Sequence, residues 1–491
     1  MNRRACAPLL SLTRHARVAA LPDREDRRGR VPVVSSYNSN KRGRPAKEKS
    51  AAEGAHQPGT PVVIGIGASA AVAQSLASLL GKLSAAPDQA IVMVLQQREA
   101  LDERPLFEAI ARRGGKLAPI EGGKPLEGGC IYLSPANAIV TVENGRFRIH
   151  SAEEPPGSRG TIDSFLVSLA EDQGESALGV ILYGTAGDGT LGLATIKEGG
   201  GLTIAEQGPD EHLSEPSAGN LPGALADFVV PLDAIPERIA IYGRHLARLR
   251  ERKTLDETLA EVSGALAQIA TVLRNKTGHD FHGYKQQTFL RRVQRRMHVV
   301  QAEDVNTYAK LLRSHPEEVQ SLFNDLLIGV TQFFRDNKEF EVLEGEVIPR
   351  ILDGKDIGDT VRVWVLGCAT GEEAYSIAIL LREAMASREV SPHVQIFATD
   401  IDARALAAAR AGRYPDTIAR DVNAQRLARW FVKEGNTYCV VKELREMCIF
   451  SAHNVIRDAP FSKLDLISCR NLLIYLNADL QNRVIPLFHF A

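Results

Sequence analysis

Two short stretches carry residues whose types and spacing could do chemistry. In VVIGIGASAAVAQSL, Ser69 sits where an apolar run meets a Gly-rich turn and a helical pattern begins. A serine at such a corner is a nucleophile only if a base takes its proton. In VRVWVLGCATGEEAYSIAIL, an apolar run ends in a tight turn from Gly367 to Gly371, and Glu372 and Glu373 open the helical pattern that follows. Glycine allows close backbone approach to a ligand, and the helix dipole favours acids in a first turn. Those acids repel phosphate and suit a cation. One unit later VQIFATDID places Asp400 just past the next strand, where an acid accepts hydrogen bonds from a ribose diol. The glycine turn, the acid after the second strand and the lack of a Walker lysine together point to S-adenosylmethionine. A plain dinucleotide fold, or purely structural acids, is the alternative reading of these two motifs.

The elements that must position these residues are those of an α/β protein. Residues 61 to 242 alternate strand-like runs (PVVIGIG, AIVMVL, GCIYLSP, ALGVILYG) with helical stretches (AVAQSLASLLGKL, RPLFEAIARR). Such alternation predicts a mostly parallel sheet covered by helices. Residues 243 to 328 turn all-helical, and from VRVWVLG onward strand-then-helix units return. At 491 residues the chain exceeds one ordinary core. Its 44% hydrophobic and 24% charged residues are those of a soluble globular protein. A formal net charge of -1 argues against general binding to nucleic acid or anionic membrane. No apolar run reaches membrane-spanning length, and the short, interrupted apolar stretches of the Arg-rich opening argue against a secretory signal. Cys6, Cys130, Cys368, Cys439, Cys448 and Cys469 form no CxxC pair, which suits a reducing, cytoplasmic setting; no metal site is expected. Within the basic tail, NKRGRPAKEKS looks like an AT-hook, a weak suggestion of DNA beside the simpler reading of a solvated tail.

The motifs DLLIGVTQFFRD, VWVLGCATGEEAYSIAILL, IFATDIDARAL, FSAHNVIRDAPF and LDLISCRNLLIYL resemble, in order and spacing, the chemotaxis receptor glutamate O-methyltransferases known as CheR. The resemblance runs from about residue 252 to the last residue. It implies that Thr331 and Arg335 line the methionine end of bound S-adenosylmethionine, with Gly367 in the turn. Glu372 and Asp400 would bind its amino and ribose groups, and Asn454 and Val455 the adenine side. Arg470, Asn471 and Tyr475 would close the site. Such enzymes often carry Asn where Gly329 stands, so one polar contact is missing. Arg335 and Tyr475 are expected to orient an incoming glutamate, which is already ionised at neutral pH and needs no general base; a helix-capping role for Arg335 stays open. FLRRVQRRM puts Arg291, Arg292, Arg295 and Arg296 on one basic face, expected either to dock an acidic receptor helix or to be merely solvated.

Residues 61 to 242 resemble the chemotaxis protein-glutamate methylesterases, CheB, through GIGASAAVAQSL, the RGTIDSF to IKEGGG stretch and ADFVVPLDAIPERI. The resemblance implies a triad of Ser in the GAS turn, His after the next strand and Asp in a Gly-rich loop. Ser69 and Asp188 fill the first and third roles. The second is filled by no histidine: the strand ends in Gln96 and Gln97, and none occurs between His56 and His150. An amide cannot accept the serine proton, so the esterase half is expected to be degenerate, unless His150 or His212 swings in. Ala71 and Val72 replace the family's Gly-Gly, and its MPR pattern is eroded at EPSAGNLP.

The expected organisation is a disordered basic tail (1–58), a degenerate CheB-like domain (59–245), a helical subdomain (246–330) and an S-adenosylmethionine-binding methyltransferase domain (331–491), with two doubly wound, mostly parallel sheets. The expected function is methylation of glutamates on a receptor helix or other signalling protein. A non-catalytic scaffold and a bifunctional methyltransferase and methylesterase are the alternatives. No receiver domain is expected ahead of the esterase half. Relatives continue into a final β-hairpin after the LIYL strand and one helix, so an uncovered sheet edge is expected.

Overall fold

The computed structural model describes residues 61–491 apart from 70–71, 84, 97–103, 137, 152–159, 186, 209–225, 253–258, 328, 330 and 436. The AT-hook-like tail, Ala71, Gln97, His212 and EPSAGNLP lie outside the described residues.

Continuous apolar runs become strands buried on both faces, the condition that parallel sheets require. The first region contains β1 (Val62–Ser69), β2 (Gln89–Gln96), β3 (Lys116–Ala118), β4 (Cys130–Leu133), the hairpin β5 (Ala138–Glu143) and β6 (Arg146–Ser151), then β7 (Leu178–Ile181), β8 (Leu202–Glu206) and β9 (Phe228–Val230). All but the hairpin form one parallel sheet of order β3-β4-β2-β1-β7-β8-β9. Each face has its own apolar layer. Leu76, Leu79, Leu106 and Ile239 pack one side, and Phe165, Leu166, Leu193 and Ile196 the other.

Four helices follow with their own core: Leu259–Thr277, Gln286–Val300, Val305–Ser314 and Pro316–Leu326. Their starts are encoded locally, since the Asp304 side chain accepts from Thr307 N and Pro316 occupies a first-turn position. The boundary expected at 245 falls inside a continuous helix, Ile235–Arg252, whose Leu246 still packs in the first core.

The last region holds β10 (Thr360–Leu366), β11 (His393–Asp400), β12 (Arg413–Pro415), β13 (Phe431–Glu434), β14 (Thr437–Val440), β15 (Cys448–Ala452) and β16 (Leu466–Ser468). A parallel sheet of order β15-β11-β10-β16 carries the glycine turn at its centre, and β12-β14-β13 form a small antiparallel sheet. Both α/β regions and the helical segment between them match the sequence expectation. The LIYL segment does not: Leu473–Tyr475 is a 3-10 turn. Asn471, with φ 57°, reverses the chain just before it, and the Asn477 side chain caps the helix Ala478–Phe490 just after. No length remains for a strand.

Candidate active site

The carboxyl ends of β10 and β11 open into a cleft roofed by His279 and Tyr284 of the helical segment. The turn leaving β10 is unusual backbone: Gly367, Ala369 and Gly371 have φ of 64°, 45° and 97°. Two glycines make that path accessible, and Ala369 holds a conformation that L-residues rarely adopt. Asp400 locks it. Its Oδ2 accepts from Ala369 N at 2.8 Å and its Oδ1 from Asp402 N at 2.9 Å, and each oxygen keeps acceptor capacity for a ligand. Burial pushes its carboxyl above the usual carboxylate range.

Thr331, Arg335, Gly367, Asp400, Asn454, Val455, Arg470, Asn471 and Tyr475 all line this cleft, together with Gly329. Asn454 holds its own loop, accepting from Ile456 N at 3.0 Å. Arg470 donates to the Arg335 carbonyl at 2.5 Å and to Asp336 Oδ2 at 2.9 Å, and stacks over Phe340 at 5.0 Å. These contacts fix the backbone that carries Arg335.

Glu372 is a correction. The cleft wall is Glu373, which accepts from Ser468 Oγ at 2.6 Å and lies 3.5 Å from Arg470. Burial raises the Glu373 carboxyl despite the Arg470 charge. Glu372 turns inward, accepts from Thr370 Oγ1 at 2.7 and 2.8 Å, and is pushed by burial to about 7. Adjacent helical positions point about 100° apart, so a Glu-Glu pair alone does not say which one meets a ligand. His279 and Tyr284 were also missed. They arrive on a loop tied to the cleft by Lys285 N donating to the Tyr475 carbonyl at 2.9 Å, a pairing across some 190 residues with no local signal.

The basic helix is a second correction. Arg292, Arg295 and Arg296 are buried, and only Arg291 is exposed. Arg295, 1% exposed, forms ion pairs with Asp227 of the first region and Asp325 of the helical segment. Arg292 donates to the Lys197 carbonyl at 2.6 Å, and Arg296 grips Glu318 through two bonds of 2.8 and 2.6 Å. The expected receptor-docking face is thus packed against the chain's own first domain and helical core. Burial alone would raise Asp227, but Arg295 and Lys197 outweigh it and hold it at about 2.

At the esterase-like corner the strand ends place Ser69 beside Gln96 in register. Gln96 Nε2 donates to Asp188 Oδ2 at 2.7 Å, so an amide takes the position between serine and acid. Asp188 also accepts from the backbone N–H groups of Ile162 and Asp163. His150 stands on the hairpin strand β6, bonded to Thr141 at 3.2 Å. Beside the corner lies Arg420, on the Asp416–Arg420 turn of the last region, 3.8 Å from Asp188 and 4.0 Å from Asp163. Burial, and then the Asp188 charge, push Asp163 up to about 7. Tyr414, just ahead of that turn, donates to the Thr370 carbonyl at 2.7 Å, which joins this segment to the glycine turn.

Sequence models of known families match three stretches: the CheR methyltransferase SAM binding domain over 329–491, its all-alpha domain over 264–327 and the CheB methylesterase over 64–239. A protein of Pseudomonas putida described as a putative methyltransferase is 32% identical over 223 residues, covering 44% of this chain and 78% of that protein. The chain belongs to the CheR methyltransferase family. A chemotaxis protein methyltransferase of Listeria innocua is 31% identical over 208 residues, 42% of this chain and 77% of its own length. An uncharacterized 104.1 kDa protein of Rhodobacter capsulatus is 33% identical over 394 residues, 76% of this chain; the chain spans 41% of that relative's length. The cofactor of the CheR domain is S-adenosyl-L-methionine. The cleft fits it. Asp400 and Glu373 offer buried carboxylates to a cation and a ribose, while Leu366, Ile401, Val455 and Leu472 supply apolar walls. Among the described residues no helix is long and apolar enough to cross a membrane, and no His, Cys, Asp and Glu cluster is disposed to hold a metal.

Proposed function

We propose that the chain is a protein-glutamate O-methyltransferase acting on a glutamate-bearing receptor helix or related signalling protein. The observation that carries this reading is the convergence of Asp400, Glu373, Arg335 and Tyr475 on one cleft. S-adenosylmethionine, when bound, supplies an activated methyl group on a sulfonium cation. Asp400 would take its ribose hydroxyls, and Glu373 its ammonium. Thr331 and Asn471 would flank its methionine end, with Asn454 and Val455 at the adenine. Arg335, its backbone fixed by Arg470, and Tyr475 orient the acceptor carboxylate. No proton has to move, so the residues contribute mainly alignment and exclusion of water. Calorimetry with S-adenosylmethionine tests this: heat is expected with the intact chain and its loss with Asp400→Ala. No heat with the intact chain would leave a non-catalytic scaffold.

The esterase-like half serves this reading as a partner domain rather than a hydrolase. Gln96 cannot act as general base, and removing one triad member leaves only weak residual catalysis. Methanol release from a methylated receptor is expected to be the same for the intact chain and for Ser69→Ala. A release abolished by Ser69→Ala would restore the bifunctional reading.

A further inference from the structure

Glu198 stands in surroundings unlike those of an ordinary surface carboxylate. It is the second-to-last residue of the helix Thr190–Gly199 in the esterase-like half, where the negative end of the helix dipole opposes a carboxylate. The groups that offset this opposition belong to the methyltransferase half. Tyr475, in the cleft wall, donates to Glu198 Oε1 at 3.4 Å. Arg292, anchored on the Lys197 carbonyl, is close enough for its charge and that of Glu198 to act on each other. Arg335 exerts its charge on the same Tyr475 hydroxyl. A glutamate side chain of this very molecule is therefore held against the tyrosine assigned above to the acceptor. Gly199, Gly200 and Gly201 follow it, and the chain turns there through Gly200 at φ 99°.

We propose that Glu198 is an intramolecular methyl acceptor, esterified at the Tyr475 edge of the cleft. The inference rests on the methyltransfer reading. One Glu198 carboxylate oxygen forms a C–O bond to the methyl carbon of the sulfonium, and the C–S bond breaks with its electron pair passing to sulfur. Anion and cation are both consumed. The products are a neutral glutamyl methyl ester and a thioether, and neither a proton nor an oxidant is needed. The ester no longer attracts Arg292 and no longer conflicts with the helix end, so the modification relaxes the hold of one domain on the other.

The test uses the full chain with S-adenosylmethionine and has two readouts. Peptide mapping by mass spectrometry is expected to show one added methylene mass on the peptide containing Glu198, formed at a fractional rate independent of protein concentration and absent in Glu198→Gln. Tyr475→Phe should slow its formation about tenfold, the worth of one hydrogen bond to a charged group. Calorimetry supplies the second readout, free of turnover. Glu198→Gln should lose about tenfold of the preference for the sulfonium over uncharged S-adenosylhomocysteine, whereas a merely structural glutamate would leave that ratio unmoved. Binding of S-adenosylmethionine without esterification at 198, or esterification whose rate rises with protein concentration, overturns the proposal and leaves the methyltransfer reading standing. No binding at all removes that reading, and the proposal with it.

Discussion

Asp400 and Glu373 are acids placed where water is scarce, and burial raises both carboxyls. A cation between them favours their ionised forms. Binding of S-adenosylmethionine is therefore expected to release protons at mildly acidic pH and to tighten as pH rises through the carboxylate range. Titrations in buffers of different ionisation heat measure the release. The neighbouring pair separates two roles that the sequence left merged. Glu373→Gln should weaken cofactor binding about tenfold, while Glu372→Gln should leave it nearly unchanged. Glu372 instead governs stability. Its folded value of about 7 lies above an unfolded value of about 4.3. Its stabilising contribution is thus full below pH 4.3 and lost as pH climbs through 7. Denaturation midpoints of the wild type at pH 5 and pH 8 should differ more than those of Glu372→Gln. GEE told the reader that acid enters the first turn, but not which side of the helix faces the sheet.

The helix Gln286–Val300 shows the same limit at the next scale. Its existence was legible from apolar spacing, whereas its use was not. Arginines at that spacing read equally as a docking face or a solvated face. What decides is Asp227, some 70 residues earlier, and Asp325, thirty later. Arg295→Ala would strip both buried carboxylates of their paired guanidinium, a loss of about 3–5 kcal/mol. A fall in urea midpoint, with earlier protease cutting between the first domain and the helices, is the expected outcome. Asp227 is depressed to about 2, so its contribution is present above its unfolded value and disappears as pH falls through 2. Acid is therefore expected to part the first domain from this helix before it melts the methyltransferase sheet.

At the scale of the whole molecule, both parallel sheets could be read because strands buried on two faces leave uninterrupted apolar runs ended by glycine. The glutamine standing where the resembled esterases carry histidine was equally plain, since it is an identity at one position, Gln96. How the halves meet was not readable: the contacts join Arg292 to Lys197, Tyr475 to Glu198 and Arg420 to Asp188, pairs remote in sequence with no periodicity. Arg420→Ala touches no residue of the cofactor cleft. It is nonetheless expected to shift S-adenosylmethionine affinity by about threefold, the size of coupling carried through packed segments. Calorimetry on the variant checks this.

The run from Tyr414 to Arg420 would work as a lever, with one end hooked on the Thr370 carbonyl and the other resting near Asp188. Levers transmit in both directions. A small molecule wedged into the notch beside Ser69 and Asp188 would tilt the nucleoside grip by the same factor by which the nucleoside tilts the notch. On the reading proposed above, a silent esterase-like domain would thus become a handle on the methyltransferase domain beside it.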